Sequence, residues 1–403
     1  MRELLAESFR AAVAAADPQH ILPAHLPPRP RGRIFVAAAG KAAASMAVAA
    51  ESRYGAQLEG IAITRYGHGL PTRRIRVVEA GHPVPDSAGE AAAREIFSIT
   101  KKLHEDDLLL ALLSGGGSSL LAFPIEGLGM AQLKNLTGEL LRSGATIQEI
   151  NTVRKHLSAI QGGRLAAACR APVLALIISD VTGDEPTHIA SGPCTPDPTS
   201  IADAKAILAK YGIDYRGPFS ETPKPGDPVF ARTTNQVIAT AYRSLEAAAE
   251  VFRRQGIEPV ILGDTITGEA RQVGREMAQL AKRTPGPAAL ISGGECTVTI
   301  KGPGGRGGRC AEFLLSLAVE LDGEPNVWAI AADTDGIDGS EDNAGAVLTP
   351  DALQRALKLN ISAKKLLERH DSYGFFSALG DLVITGPTRT NVNDYRAILI
   401  TRP

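Results

Sequence analysis

Two stretches of this chain, "LLLALLS" ending at Ser114 and "PVLALIISD" ending at Asp180, are apolar without interruption over the length of a β-strand and stop at small or acidic residues. A strand with one wet face alternates apolar and polar residues. A continuous run instead suits a strand covered on both faces, as in a parallel sheet. Helical text lies between such runs: "AAASMAVAAESRY" follows "RIFVAAAGK", and "AGEAAAREIFSITKKL" follows "IRVVEAGHPVPD". Ser87 and Glu90 read as a capping box opening the latter helix. This alternation predicts an α/β fold whose first sheet is doubly wound and mainly parallel.

At 403 residues the chain is long for one domain. Between Lys210 and Asn235 the text turns rich in Pro, Gly, Ser and Thr, which reads as a long loop or linker. "QVIATAYRSLEAAAEVFRRQG" then reads as a long helix, and a second α/β series follows in "EPVILGD", "AALISGGECTVTI", "NVWAIAAD", "DLVITG" and "YRAILIT". The expectation is two α/β domains, 1–230 and 231–403, with a single large sheet as the alternative.

Composition narrows the function. The 43 Lys and Arg nearly cancel the 44 Asp and Glu, so no nucleic-acid footprint or membrane-surface charge is present. Cys169, Cys194, Cys296 and Cys310 lack CxxC spacing and neighbouring histidines, so they read as buried thiols rather than zinc ligands. The N-terminal text, with Glu3 and Glu7 in an amphipathic pattern, lacks the form of a signal peptide, and no apolar stretch approaches the ~18 residues of a membrane span. These features predict a cytoplasmic protein.

In an open α/β sheet ligands bind at the carboxyl ends of strands, and four such places carry chemistry. "VAAAGKAAAS" sets Lys41 at a strand-to-helix turn, where a lysine and helix N–H groups can meet a phosphate or carboxylate. It is not a Walker A loop, because Phe35 stands where the first glycine is needed and Ala42 follows the lysine. The loop Ser114, Gly115, Gly116, Gly117, Ser118, Ser119 offers bare N–H groups as an anion nest and adds hydroxyl donors. Leu120 breaks the frame of a nucleophile elbow. "SDVTGDEPTHIASGP" ends a strand at Asp180, continues through Asp184 and Glu185, and turns at Ser191-Gly192. Carboxylates beside phosphate-binding loops are the usual seats of Mg²⁺.

The fourth group lies in the second series. Gly293-Gly294-Glu295 ends a strand, and Arg306 and Arg309 precede a helix whose N-terminus favours anions. "AIAADTDGIDGSEDNAGA" places Asp333, Asp335, Asp338, Glu341 and Asp342 after another strand, although Ile337 and Ala344 rule out an EF-hand. "VITGPTRTNVNDYR" supplies Gly386, Thr388, Thr390 and Asn391 in a polar loop. Glycine loops, a lysine, loop arginines and strand-end carboxylates together point to phosphoryl transfer, which needs charge neutralisation and alignment. No G-x-G-x-x-G opens a helix after a strand, so a dinucleotide site lacks its fingerprint.

The order "AAAGKAA", "AGHPVPDSAG", "LLSGGGSSLL", "NTVRKHLSAIQGGRLA", "SDVTGDEPTHIASGPCTPDPT", "SGGECTVTIKGPGGRGGR", "AADTDGIDGSEDNAGA", "GPTRTNVNDYRAIL" resembles the class II glycerate kinases, or glycerate 2-kinases, whose second domain is called MOFRL. The resemblance runs from about Phe9 to Thr401. It implies ATP- and Mg²⁺-dependent phosphorylation of D-glycerate at the 2-hydroxyl, in a cleft between the two domains. Carried over by motif, Lys41 is the catalytic or phosphate-contacting lysine; Ser114–Ser119 and Asp180 line the cleft from one side, Arg309 and Asp335 from the other. Arg154 and Lys155 of "NTVRKH", or the Ser114–Ser119 loop, hold the glycerate carboxylate or the phosphates. Asp180 or Asp335 is expected to orient the glycerate hydroxyl or to hold Mg²⁺, with Asp333 as a further metal carboxylate, and the turns Ser191-Gly192 and Gly293-Gly294-Glu295 with Glu312, Thr388 and Asn391 complete the expected binding set. After "GGR" the family usually has Asn-Gln, where this chain has Cys310-Ala311. The implied partners are D-glycerate and ATP, with no nucleic acid and no membrane, in a monomer or homodimer. The rival readings are an NAD(P)H-dependent hydroxypyruvate reductase and a non-catalytic anion-binding protein.

Overall fold

A computed structural model describes residues 1–300 and 304–401. It divides the chain into two compact units, Pro18–Ile238 and Met1–Asp17 with Ala239–Pro403.

The unit Pro18–Ile238 is built on one sheet. Its strands are β1 (Ile34–Ala39), β2 (Leu58–Arg65), β3 (Ile75–Ala80), β4 (Leu108–Leu113), β5 (Val173–Ile178) and β6 (Thr233–Ala239), in the order β3-β2-β1-β4-β5-β6. The pairs β1–β2, β2–β3, β1–β4 and β4–β5 are all parallel. Every residue of β1 and β4 is buried, as the unbroken apolar runs require. One face of the sheet packs its Phe35, Ile61, Leu109, Leu113 and Ile177 against Ala92, Ile96 and Leu165 of the covering helices. The chain winds from β1 outward through β2 to β3, then returns past β1 to β4 and winds the other way. That reversal opens a crevice outside the carboxyl ends of β1 and β4.

The other unit is mixed. Its main sheet contains β7 (Glu258–Gly263), β9 (Ala288–Ser292), β11 (Val327–Asp333), β12 (Gly345–Leu348), β13 (Leu382–Val383) and β14 (Asp394–Ile400), in the order β13-β12-β11-β14-β9-β7. Only β7–β9 pairs parallel there; the other four pairings are antiparallel. A two-stranded ladder joins β8 (Gly268–Glu269) and β10 (Cys296–Thr297). Two apolar clusters lie on the two faces of the main sheet, one centred on helix Arg309–Leu321 and the other on helix Ala241–Arg253.

The partition differs from the expected 1–230 and 231–403 at both ends of the first domain. The opening helix Arg2–Ala14 buries Leu5, Phe9 and Ala12 in the cluster formed by Leu245, Phe252, Ile330 and Leu399, so it belongs with the later sheet. The text "QVIA" is not the start of a long helix. It lies in β6, an edge strand of the first sheet, and the helix begins two residues after the strand, at Ala241, with the Thr240 hydroxyl accepting from Arg243 N–H. The β-branched pair in Val237-Ile238 wins there because an edge of the sheet is available to it. Helix Ser87–Thr100 is capped by Asp86, whose carboxylate accepts from Gly89 N–H, rather than by the expected Ser87–Glu90 box. Asp and Ser cap equally well, so the sequence left that choice to geometry.

Phe9 is 2% exposed. Phe9→Ala is therefore expected to lower stability by ~3–5 kcal/mol. Hydrogen exchange resolved by segment should place the loss in residues 239–401, leaving the 18–238 unit protected; loss confined to 18–238 would refute the assignment of the helix.

Candidate active site

The loops after β1 and β4 interlock at the switch point. Lys41 N–H donates to the Gly115 carbonyl at 2.8 Å, and Ala42 N–H donates to the Ser114 hydroxyl at 3.0 Å. A side chain at Gly40 would overlap Ser114, and Gly40 sits at φ +130°. Gly116 sits at φ +82°, in the left-handed region that glycine tolerates best. A Cβ there would lie 3.0 Å from the His82 ring and 3.4 Å from Lys41 Cγ. Lys41 and His82 thus flank the middle glycine of the triplet. Among the described residues, the N–H groups of Gly115 and Gly116 have no protein acceptor. Bare amides beside a lysine are the elements of an anion nest.

The hydroxyls of that loop have other work. Ser114 is fully buried and holds Ala42; Ser119 donates to the Gly116 carbonyl at 3.1 Å. Ser191 donates to Ser118 at 2.8 Å and also lies 3.3 Å from Asn151 Oδ1, while Gln161 donates to the Ser118 carbonyl. Gly117 would meet Ala190 Cβ if it carried a side chain. Ala190, Ser191 and Gly192 all have positive φ, and two of them are not glycine. Such backbone costs ~1–3 kcal/mol per non-glycine residue and collects at functional sites. The turn after β5 therefore docks its strained residues onto the glycine loop. Asp180 lies two residues past the end of β5, half-buried.

Arg154 and Lys155 part company. Lys155 is 0% exposed and its Nζ lies 2.6 Å from Asp197 Oδ1, itself 0% exposed, so its charge is engaged inside the protein. This corrects the expectation that Lys155 holds substrate; neighbours on a helix point about 100° apart, and that rotation turned it inward. Arg154 is half-buried, and burial lowers its pKa to about 10 with no carboxylate to offset it. Its guanidinium makes no hydrogen bond or ion pair among the described residues. Desolvation also lowers the pKa of nearby His188, with Lys155 as the second cause.

In the other unit Asp333 and Asp394 are register partners on β11 and β14, two like charges placed opposite each other. Arg309, at the start of helix Arg309–Leu321, resolves the conflict. Its Nη2 lies 2.7 Å from Asp333 and its Nε 2.8 Å from Asp394. Burial opposes its charge, but Asp394 and Asp333 outweigh burial and raise its pKa. Exposed Glu295 lies further off, at 3.6 Å. Arg396 meets the second oxygen of Asp394 at 2.9 Å and the Gly293 carbonyl at 3.3 Å. Gly294, at φ +108°, would clash with Ile266 if it had a side chain. Past β11 the chain turns on its own carboxylates: Asp335 N–H donates to Asp333 and Ile337 N–H to Asp335. Thr388 donates its N–H to the Asp335 carbonyl and its hydroxyl to the Thr334 carbonyl. Asn391 is buried beside it.

Two expectations change here. Glu312 is 1% exposed and engaged by Arg271 and His370, so it ties the helix to its neighbours instead of facing a ligand. Cys310 and Ala311 are fully buried, and their N–H groups donate to Asp338 at 2.9 and 2.8 Å. The missing Asn and Gln side chains would have been core residues at these positions. Burial raises the Asp338 pKa to about 6 despite those two bonds. His82 and Asn151 also border these loops; both lie in quoted motifs, but neither belongs to a glycine run or a charge cluster. Among the described residues no group of three His, Cys, Asp or Glu can hold a metal, and residues 301–303 of the glycine-arginine loop lie outside the described set. Mg²⁺ needs fewer protein ligands, because phosphate oxygens and water complete its shell.

A domain of unknown function, DUF4147, matches residues 4–220, and the MOFRL family matches residues 288–394. A protein of Agrobacterium vitis called putative hydroxypyruvate reductase is 51% identical, over 99% of this chain and 94% of its own. The glycerate 2-kinase of Pyrococcus horikoshii is 40% identical, over 92% of this chain and 88% of its own. The crystal structure of a glycerate kinase from Thermotoga maritima superposes with a TM-score of 0.88 at 37% identity, covering 99% of both chains.

Burial works to raise the Asp197 pKa, but the Lys155 bond and charge bring it below the usual value. A depressed folded pKa adds stability above the unfolded pKa of ~3.9, and that stability is lost as pH falls through the folded value. Lys155→Met should thus lose ~3 kcal/mol at neutral pH, and less below about pH 4, where Asp197 can protonate. Denaturant melts at the two pH values test this. A variant with wild-type melting and a raised substrate KM would return Lys155 to the ligand site.

Proposed function

The chain belongs to the glycerate kinase family that carries a MOFRL domain, and on that premise we propose that it transfers the γ-phosphoryl group of ATP to the 2-hydroxyl of D-glycerate, yielding 2-phosphoglycerate and ADP. The observation that carries the reading is the pairing of Lys41 with the open amides of Gly115 and Gly116 at the β1–β4 switch point. Phosphoryl transfer asks little covalent chemistry of a protein. It asks for donors and cations aimed where charge sits on the phosphates.

The residues take these roles. The Gly115 and Gly116 amides bind phosphate oxygens, and Lys41 neutralises charge on the group in transfer. Arg154, a cation without a partner among the described residues, binds an oxyanion of the substrates. In each unit one strand-end carboxylate is our candidate for Mg²⁺, Asp180 after β5 and Asp335 after β11; Asp333 serves Arg309. Mg²⁺, when bound, screens the phosphate charge and aligns the oxygens. Arg309 is a positioning residue: it holds Asp333, whose second oxygen anchors the turn at Asp335. The reaction we propose takes place in the cytoplasm.

The reductase name borne by two relatives does not fit the first βα turn. The strand order β3-β2-β1-β4-β5-β6 is that of a dinucleotide fold. Yet the turn after β1 has a single glycine, followed by Lys41, where a pyrophosphate loop needs three. A coupled assay should show ADP release with D-glycerate and ATP·Mg²⁺, cessation with EDTA, and no NADH oxidation with hydroxypyruvate; steady NADH turnover would reverse the reading. Lys41→Ala should lower kcat ~100-fold or more. A raised KM with kcat intact would remove Lys41 from the transition state.

A further inference from the structure

We infer that Arg389 is an oxyanion-binding residue of the site around Asp335, a residue outside the glycine loops and charge clusters that otherwise mark the chemistry. Its backbone is held at φ +61° in the left-handed region, which an arginine adopts only under constraint. The constraint is visible on both sides. Thr388 is fixed by two bonds, from its N–H to the Asp335 carbonyl and from its hydroxyl to the Thr334 carbonyl. Thr390 is fully buried and donates its hydroxyl to the Ala16 carbonyl at 2.7 Å. Gly336 lies so close to the Gly386 carbonyl that it could carry no side chain, so the two loops are in contact. The arginine is therefore presented from a rigid turn that rests on the carboxylate loop.

Its guanidinium makes no hydrogen bond or ion pair among the described residues, and its Nε is sealed from solvent without an acceptor. A buried donor left unmade costs ~1–3 kcal/mol, more for a charged group. Carboxylates of the loop after β11 and of its partner strand are engaged elsewhere: Asp333 and Asp394 by Arg309, Asp338 by two helix N–H groups, and Asp335 by Ile337 N–H. Strain in the backbone and a withheld acceptor on the same residue are explained together if the acceptor arrives with a ligand. The fork of an arginine matches a planar carboxylate or a phosphate. D-glycerate brings the first and ATP the second.

This inference rests on the kinase reading, and the test separates the two. Wild-type enzyme is first assayed for ADP release from glycerate and ATP. Arg389→Gly, Arg389→Gln and Arg389→Lys are then compared in melting temperature, kcat and KM for each substrate. Glycine removes the left-handed strain, so Arg389→Gly should melt no lower than wild type while one KM rises about tenfold or more. A rise confined to glycerate assigns the carboxylate; a rise confined to ATP assigns a phosphate. Arg389→Lys, with charge but no fork, should fall between. If Arg389→Gly melts low, Arg389→Gln keeps an unbranched polar side chain without the charge and decides the matter. Both KM values within twofold of wild type in Arg389→Gln would overturn the inference. If wild type releases no ADP, the kinase reading has failed; calorimetric titration of wild type and Arg389→Gln with glycerate and with inorganic phosphate then decides separately, equal affinities in the two proteins overturning the role.

Discussion

The absence of side chains where the loop after β1 meets the loop after β4 governs the Pro18–Ile238 unit. Gly40, Gly116 and Gly117 let the two loops close to hydrogen-bonding distance, with Lys41 N–H on the Gly115 carbonyl and the Ser114 hydroxyl under Ala42. The reversal of winding between β1 and β4 opens the crevice, and the glycines set its floor. The Gly115 and Gly116 amides of that floor have no acceptor among the described residues, and Lys41 and His82 stand beside Gly116. The strained Ala190–Gly192 turn leans on the same spot through Gly117. Three loops distant in sequence are thus positioned by one close approach.

In the other unit an electrostatic conflict plays the corresponding part. Antiparallel pairing of β11 with β14 sets Asp333 against Asp394, two like charges in register. Arg309 supplies the countercharge and so fixes the first turn of its helix against the sheet. Asp338 binds the next two amides of that helix. The carboxylate loop and the helix start are thereby a single unit, on which the Thr388–Asn391 turn rests.

Strands and glycine loops were legible because they depend on local composition. An unbroken apolar run has few alternatives to a doubly covered strand, and β1, β4, β5, β9, β11 and β14 lie where such text stands. Edges and caps were less legible. "QVIA" suits a strand or a helix start, and only the vacancy beside β5 decides for the strand. For the opening helix, amphipathicity tells that a face is buried, not against which sheet. Among charged residues, position in the motif did not separate Arg154 from Lys155, nor a ligand-facing glutamate from Glu312, which is sealed in with Arg271 and His370.

The sequence by itself determined the kinds of element, the side-chain-free character of the loops after β1 and β4, and the chemistry those residue types allow. All of these follow from side-chain period, from the bare N–H groups of glycine and from charge type. Tertiary structure alone decided which charges are available. Lys155 and Arg309 meet buried carboxylates from distant segments, while Arg154 and Arg389 meet none among the described residues. Whether a cation serves the fold or waits for a ligand depends on what lies within a few ångströms of it, and that distance is set by packing between segments far apart in the chain.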